Sequence, residues 1–189
     1  MNICLIGYGK MGQIIRQTAE KRGHSIGLII DKDTLGELNP ENLRKYDVAI
    51  EFTHAESAFN NYLQCFKAGI PVVSGTTGWL DRWEELKNEC TKLDGTFFYA
   101  SNFSLGVNVF FRINDLLSKY MNSFRHYNVE MKEVNHIQKQ DAPSGTALTL
   151  ANQIIANVHR KKSWTMEAPL SNDQIKIHAV REGSVPGIH

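Results

Sequence analysis

The sequence predicts an α/β protein: an N-terminal doubly wound parallel sheet followed by a smaller C-terminal α+β unit. Three observations carry that prediction. Strand-like and helix-like segments alternate over the first hundred residues, a glycine-rich turn separates the first pair, and the rhythm changes after about Phe103. The chain has 189 residues, 42% of them hydrophobic and 22% charged, enough for one large core or two small ones.

Residues 2–6 form a short buried-strand run. Met11, Ile14, Ile15, Ala19 and Arg22 then recur at helical spacing as far as Gly23, a natural C-cap. Residues 25–31 read as the second strand, 48–53 as the third, 56–68 as a helix closed by Gly69, 72–74 as the fourth strand, 80–93 as a helix and 96–100 as the fifth strand. Strands separated by helices imply right-handed crossovers and a parallel sheet with ligands at the carboxyl ends of its strands. Beyond Phe103, Val109, Ile113, Leu116, Leu117 and Tyr120 stripe one long helix, and residues 127–134 alternate like a partly exposed strand. Residues 146–158 read as a further helix and 175–180 as a further strand. The expected division is a dinucleotide-fold domain over residues 1–103 and a second domain over 104–189. The chain stops just after Val185-Pro186-Gly187-Ile188, without an element to cover an edge, so the expectation is a piece of a longer protein.

Composition excludes several classes. Twenty-one basic against twenty acidic residues leave a charge of +1, which offers no general footprint for nucleic acid or an anionic membrane. The longest apolar runs fall far short of a membrane span, and Met1 leads into a strand rather than a signal peptide, so a cytoplasmic protein is expected. Cys4, Cys65 and Cys90 are odd in number and widely spaced, which fits neither a disulfide framework nor a metal site. All three are expected to be reduced and structural.

Gly7-Tyr8-Gly9-Lys10-Met11-Gly12 lies between the first strand and first helix, where a dinucleotide pyrophosphate needs close backbone approach and free N–H groups. Gly7 permits the tight turn, Gly9 leaves room for phosphates, and Gly12 allows close packing. Asp31 ends the second strand near the offset expected of a ribose-binding acid. Lys32 can pair with a 2′-phosphate that Asp31 would repel, so both NADH and NADPH are expected to be usable. Thr77 and Asn102 end strands on the ligand face, where they can hydrogen-bond a nicotinamide carboxamide.

A second constellation lies downstream. Ser144-Gly145-Thr146 opens a helix just after Pro143, and its N–H groups and hydroxyls suit a carboxylate, with His136 and Lys139 a few residues upstream. A dicarboxylate substrate is the economical inference. Reduction by hydride transfer needs a proton or positive charge where the electrons accumulate, so a nearby Lys or His is required.

Five segments together resemble the dihydrodipicolinate reductase family over nearly the whole chain, in the family's order. Beside the glycine loop, Gly75-Thr76-Thr77-Gly78 resembles the family loop lining the nicotinamide pocket, and ASNFSLGV, residues 100–107, resembles the segment joining the two domains. EVNHIQKQDAPSGTA, residues 133–147, is similar to the signature carrying the catalytic loop and substrate cradle, and REGSVPGIH, residues 181–189, resembles part of the substrate domain, after which more chain follows in the family. The resemblance implies a Rossmann-like cofactor domain, reduction of 4-hydroxy-tetrahydrodipicolinate in lysine and diaminopimelate biosynthesis, and homotetramers formed through the substrate-domain sheets. It adds Phe52, Thr53, Ser101 and Phe103 to the expected cofactor contacts. The family pattern begins its catalytic loop with two histidines, the first being the proposed acid; here the first position is Asn135, which cannot donate a proton at neutral pH. Lys139 is therefore the expected acid, His136 the substrate binder and Asn135 a hydrogen-bonding spectator, with water as the alternative donor. Two other readings stand beside this one: a different nicotinamide-dependent reductase of amino-acid precursors, such as a semialdehyde enzyme, and a nicotinamide-binding module without turnover.

Overall fold

Every strand of the first sheet runs the same way, because each is separated from the next by a helical or looped crossover that returns the chain to its starting edge. The computed structural model describes residues 1–168 and 171–189 and divides into two compact units, Met1–Ser101 and Asn102–His189. In the first, β1 (Asn2–Ile6), β2 (Ser25–Ile30), β3 (Val48–Glu51), β4 (Val72–Ser74) and β5 (Phe97–Tyr99) are ordered β2-β1-β3-β4-β5. The order reverses between β1 and β3, and the loops that leave those two strands form the ligand crevice of such a sheet.

The pleat explains the two layers. Along β1, Cys4 and Ile6 enter one core with Tyr62, Cys65 and Phe66 of α3 (Ala55–Ala68) and Leu86 of α4 (Trp83–Lys92). Ile3 and Leu5 point to the other face, against Ile15 and Ala19 of α1 (Lys10–Lys21). Gly69, at φ 72°, closes α3 in a left-handed cap, with its N–H on the carbonyls of Cys65 and Phe66. Several boundaries differ from the sequence expectation. The third strand stops at Glu51, leaving Phe52 and Thr53 in the loop, and the expected helix over 80–93 splits into a 3-10 turn (Leu80–Arg82) and α4. A 3-10 helix (Lys32–Glu37) and α2 (Pro40–Leu43) fill a stretch that carries no periodic signal; Asn39 caps α2 by accepting the Asn42 N–H, with Pro40 at the first helical position.

The second unit contains α5 (Leu105–Met121), β6 (Glu130–Asn135), α6 (Gly145–Asn157), β7 (Ser163–Thr165) and β8 (Gln174–Arg181). Its sheet has the order β6-β8-β7, with both pairings parallel. Ile154 and Val158 pack on Ile175, with Met131 and Trp164 at the margin of that core. The long helix forms where its apolar stripe predicts, yet Val109, Ile113, Leu116, Leu117 and Tyr120 are all exposed. The face it buries carries Phe111 and Ser118, and polar pairs join it to α6: Asn114 donates to the Leu150 carbonyl and to Gln153, and Asn157 donates to Asp115. The strand β7 is too short to be legible as alternation, and β6 begins three residues later than the pattern over 127–134.

Candidate active site

In the first unit, a cavity of about 520 Å³ opens at the carboxyl ends of β1, β3 and β4. Gly7, Tyr8, Gly9, Lys10, Met11 and Gly12 line it together with Asp31, Lys32, Phe52, Thr53, His54, Gly75, Thr76 and Thr77. The sequence therefore names every lining residue but His54, which precedes α3. Ser101, Asn102 and Phe103 are not among them. The Asn102 side-chain oxygen accepts the Ser104 N–H and its carbonyl accepts from Asn108, so its visible work is to start α5.

The three loop glycines differ in what demands them. Gly7 has φ 96°, and a Cβ there would lie 2.0 Å from the Phe52 carbonyl oxygen. At Gly12 a Cβ would lie 2.3 Å from the Gly7 carbonyl oxygen, so the close packing is of helix on loop. Gly9 is the exception: φ is −70°, and a Cβ would meet nothing within 4 Å. Neither strain nor the protein itself requires glycine there, and the empty space lies over the N-terminus of α1. Residues that leave such a gap beside a helix start fit a dinucleotide pyrophosphate. Asp31 is partly engaged already, since its side chain accepts the Lys32 N–H while its own N–H donates to the Thr34 hydroxyl.

In the second unit, the loop between β6 and α6 is pinned from below by a buried charge pair. Glu133 is 1% exposed, and Arg181, at the end of β8, reaches its Oε1 at 3.3 Å. The same guanidinium donates to the carbonyls of Lys139 and Asp141, and Glu133 accepts the Ser144 N–H at 3.1 Å. Both limbs of the loop therefore hang on one ion pair. Asn135 is buried and donates its amide to Glu133 at 3.2 Å. Lys139 is ion-paired with the exposed Asp141 at 2.7 Å. The His136 Nδ1 is buried and has no hydrogen-bond partner among the described residues. Ser144 caps α6 by accepting the Ala147 N–H, and no acceptor among the described residues takes the N–H of Gly145 or Thr146. His189 stands 3.9 Å from Glu133; burial lowers its pKa from the ordinary imidazole value, Glu133 opposes that shift and Lys139 adds to it.

Two profiles of the dihydrodipicolinate reductase family match this chain, the N-terminal one over residues 1–103 and the C-terminal one over 106–189. The chain belongs to the dihydrodipicolinate reductase family. It is 48% identical over its full length to a 4-hydroxy-tetrahydrodipicolinate reductase of Christiangramia forsetii, of which it spans 78%. It is 34% identical over 95% of its length to one of Methanopyrus kandleri, of which it spans 69%. Among solved structures, a dipicolinate-bound dihydrodipicolinate reductase from Paenisporosarcina sp. TG-14 shares the fold, with a TM-score of 0.73 at 24% identity, over 99% of this chain and 80% of that one. The chain is accordingly an NAD(P)H-dependent oxidoreductase. Sequence reasoning about this reductase missed the work of Glu133 and Arg181, although both lie in strings that resemble the family. Their signal was an acid inside one strand and a base at the end of another, and only the pairing of β6 with β8 joins them.

Proposed function

We propose that the chain reduces 4-hydroxy-tetrahydrodipicolinate to tetrahydrodipicolinate with NADH or NADPH, in diaminopimelate and lysine biosynthesis, and that its residues divide the work as follows. Exchanging the 4-hydroxyl for hydrogen consumes one hydride and one proton and releases one water. When bound, the reduced nicotinamide supplies the hydride. The residues of the 520 Å³ cavity hold the dinucleotide, the start of α1 facing its pyrophosphate. Asp31 accepts from the adenosine ribose, and Lys32 offers its charge to a 2′-phosphate.

On the substrate side, the N–H groups of Gly145 and Thr146 receive one carboxylate, with Ser144 shaping the turn. His136 binds the dicarboxylate, and Lys139 delivers the proton from a position steadied by Asp141. Asn135 is already committed to Glu133 and stays a spectator. The observation that carries this reading is His136. A buried ring nitrogen without a partner is costly unless a ligand provides one, and this one belongs to a loop that three main-chain hydrogen bonds hold in place.

Steady-state kinetics test the division. Lys139→Ala should lower kcat by about a hundredfold or more, within the usual range for losing a general acid. Asn135→Ala should act mildly, and His136→Ala mainly on KM. Equal, small effects of all three would overturn the assignment.

The reading extends to assembly and location. Lys132 and His178 are cross-strand partners on the sheet face opposite Ile175 and Ile177, and both are exposed. That open face pairs copies of the chain into a homotetramer. No helix among the described residues is long and apolar enough to cross a membrane, and the reductant is a metabolite of the cytoplasm, where the enzyme works.

A further inference from the structure

Glu51, the last residue of β3, is fully buried and has no cationic partner among the described residues. Two residues earlier on the same face, Ala49 is ordinary apolar core, so the fold itself is served there by a hydrocarbon. The carboxylate instead gathers four neutral donors. Its Oε1 accepts from the Thr53 hydroxyl, from Asn61 Nδ2 at 3.3 Å and from Thr76 Oγ1 at 3.0 Å; its Oε2 accepts from Ser74 Oγ at 2.7 Å. Burying a carboxylate is costly, and hydrogen bonds of this number are what offset the cost.

The donors are not scattered. Thr53 belongs to the loop after β3 and Thr76 to the loop after β4, and both loops wall the cofactor cavity. The Thr53 N–H donates to Thr76 Oγ1 at 2.7 Å, and that hydroxyl in turn donates a hydrogen bond to Glu51. A hydroxyl is free to rotate unless its proton is committed. Glu51 commits it, so the lone pair of Thr76 faces Thr53 and one wall hangs on the other. Phe52 depends on the same spacing, because its ring lies where a Cβ on Gly75 would sit.

We propose that Glu51 is a positioning residue for the dinucleotide: through Thr76 and Thr53 it fixes the separation of the two loops that receive the cofactor. The inference rests on the reading that this cavity takes NADH or NADPH.

Dissociation constants for NADPH, read from the fluorescence of the bound cofactor, test it in wild type, Glu51→Gln, Thr76→Val and the double variant. Each single change should weaken binding about tenfold, as expected for a lost hydrogen bond to a charged group. The double variant should be no weaker than the weaker single one, since both act on one chain of bonds. Thr76→Ser, which restores the hydroxyl, should bind like wild type, and KM for the dicarboxylate should stay within about twofold throughout. Multiplying effects in the double variant, or wild-type affinity in a folded Thr76→Val, would overturn the proposal. If Glu51→Gln does not fold, the comparison of Thr76→Val with Thr76→Ser decides alone, equal affinities overturning it. Gly9→Val separates the two levels. Unchanged NADPH binding in that variant removes the cavity reading and this inference with it; lost binding there beside unchanged binding in Thr76→Val removes this inference only.

Discussion

Glycine 9 isolates a requirement of the ligand from one of the fold. Its backbone is open to any L-residue, and a side chain there would project into space the protein leaves empty. Gly9→Val should therefore keep its thermal midpoint within a degree or two while losing NADPH affinity. Gly12→Ala should instead lose about 1–3 kcal/mol of stability, because its methyl meets the Gly7 carbonyl and backbone cannot yield cheaply. Calorimetry paired with cofactor titration reads both, and matching stability losses in the two variants would contradict the distinction. Glycine spacing was legible in the sequence because its meaning is local. Glu51 was not, since a lone acid at the end of an apolar strand has no visible partner until Ser74 and Thr76, 23 and 25 residues on, are brought beside it. His136 and Lys139 stood out by residue type, whereas the burial of Asn135 against Glu133 depends on how β6 packs.

Among the elements, the first sheet was readable because each of its strands is a short apolar run and each long helix ends in a recognisable stop. The second unit was less so. Its α5 carries a regular apolar stripe that predicts burial, yet the residues it buries are Phe111 and Ser118, and Asn114 and Asp115 hydrogen-bond to α6. The joint between β6, β8 and the loop before α6 is held by Glu133 and Arg181, 48 residues apart in sequence. Removing one member of such a pair leaves the other charge buried without its counter-charge. Arg181→Ala should accordingly cost about 3–5 kcal/mol in urea unfolding and raise KM for the dicarboxylate, because the Lys139 and Asp141 carbonyls lose their shared donor. Replacing the pair together, as Glu133→Gln with Arg181→Met, should cost less than Arg181→Ala alone. A loss below about 1 kcal/mol in the single variant would mean that the loop does not depend on the pair.

Over the whole chain, acidic and basic residues nearly cancel, so general charge repulsion is weak and the response of stability to alkali is set by a few buried groups. Cys4 and Cys65 are both fully buried in the core of the first unit, while Cys90 is partly exposed. Burial pushes the Cys4 thiol from an ordinary 9.0 to about 12, and pushes Cys65 in the same direction. The folded chain thus keeps both thiols protonated at pH values where the unfolded chain has released the protons. Stability from the Cys4 thiol is complete below pH 9 and declines as pH climbs from there towards 12, by up to about 1.4 kcal/mol per pH unit, and Cys65 acts in the same direction. Tyr62, also raised by burial and by Glu51, adds to the decline once its unfolded counterpart ionises near 10.0. Urea midpoints should therefore begin to fall above pH 9, and the slope should lessen in Cys4→Ala. Below that pH, a thiol reagent applied to the native protein should modify Cys90 first and reach Cys4 and Cys65 only on unfolding. Native-state labelling of Cys4 as fast as Cys90, or midpoints level from pH 9 to 10.5, would show that the buried thiols do not govern the alkaline limit.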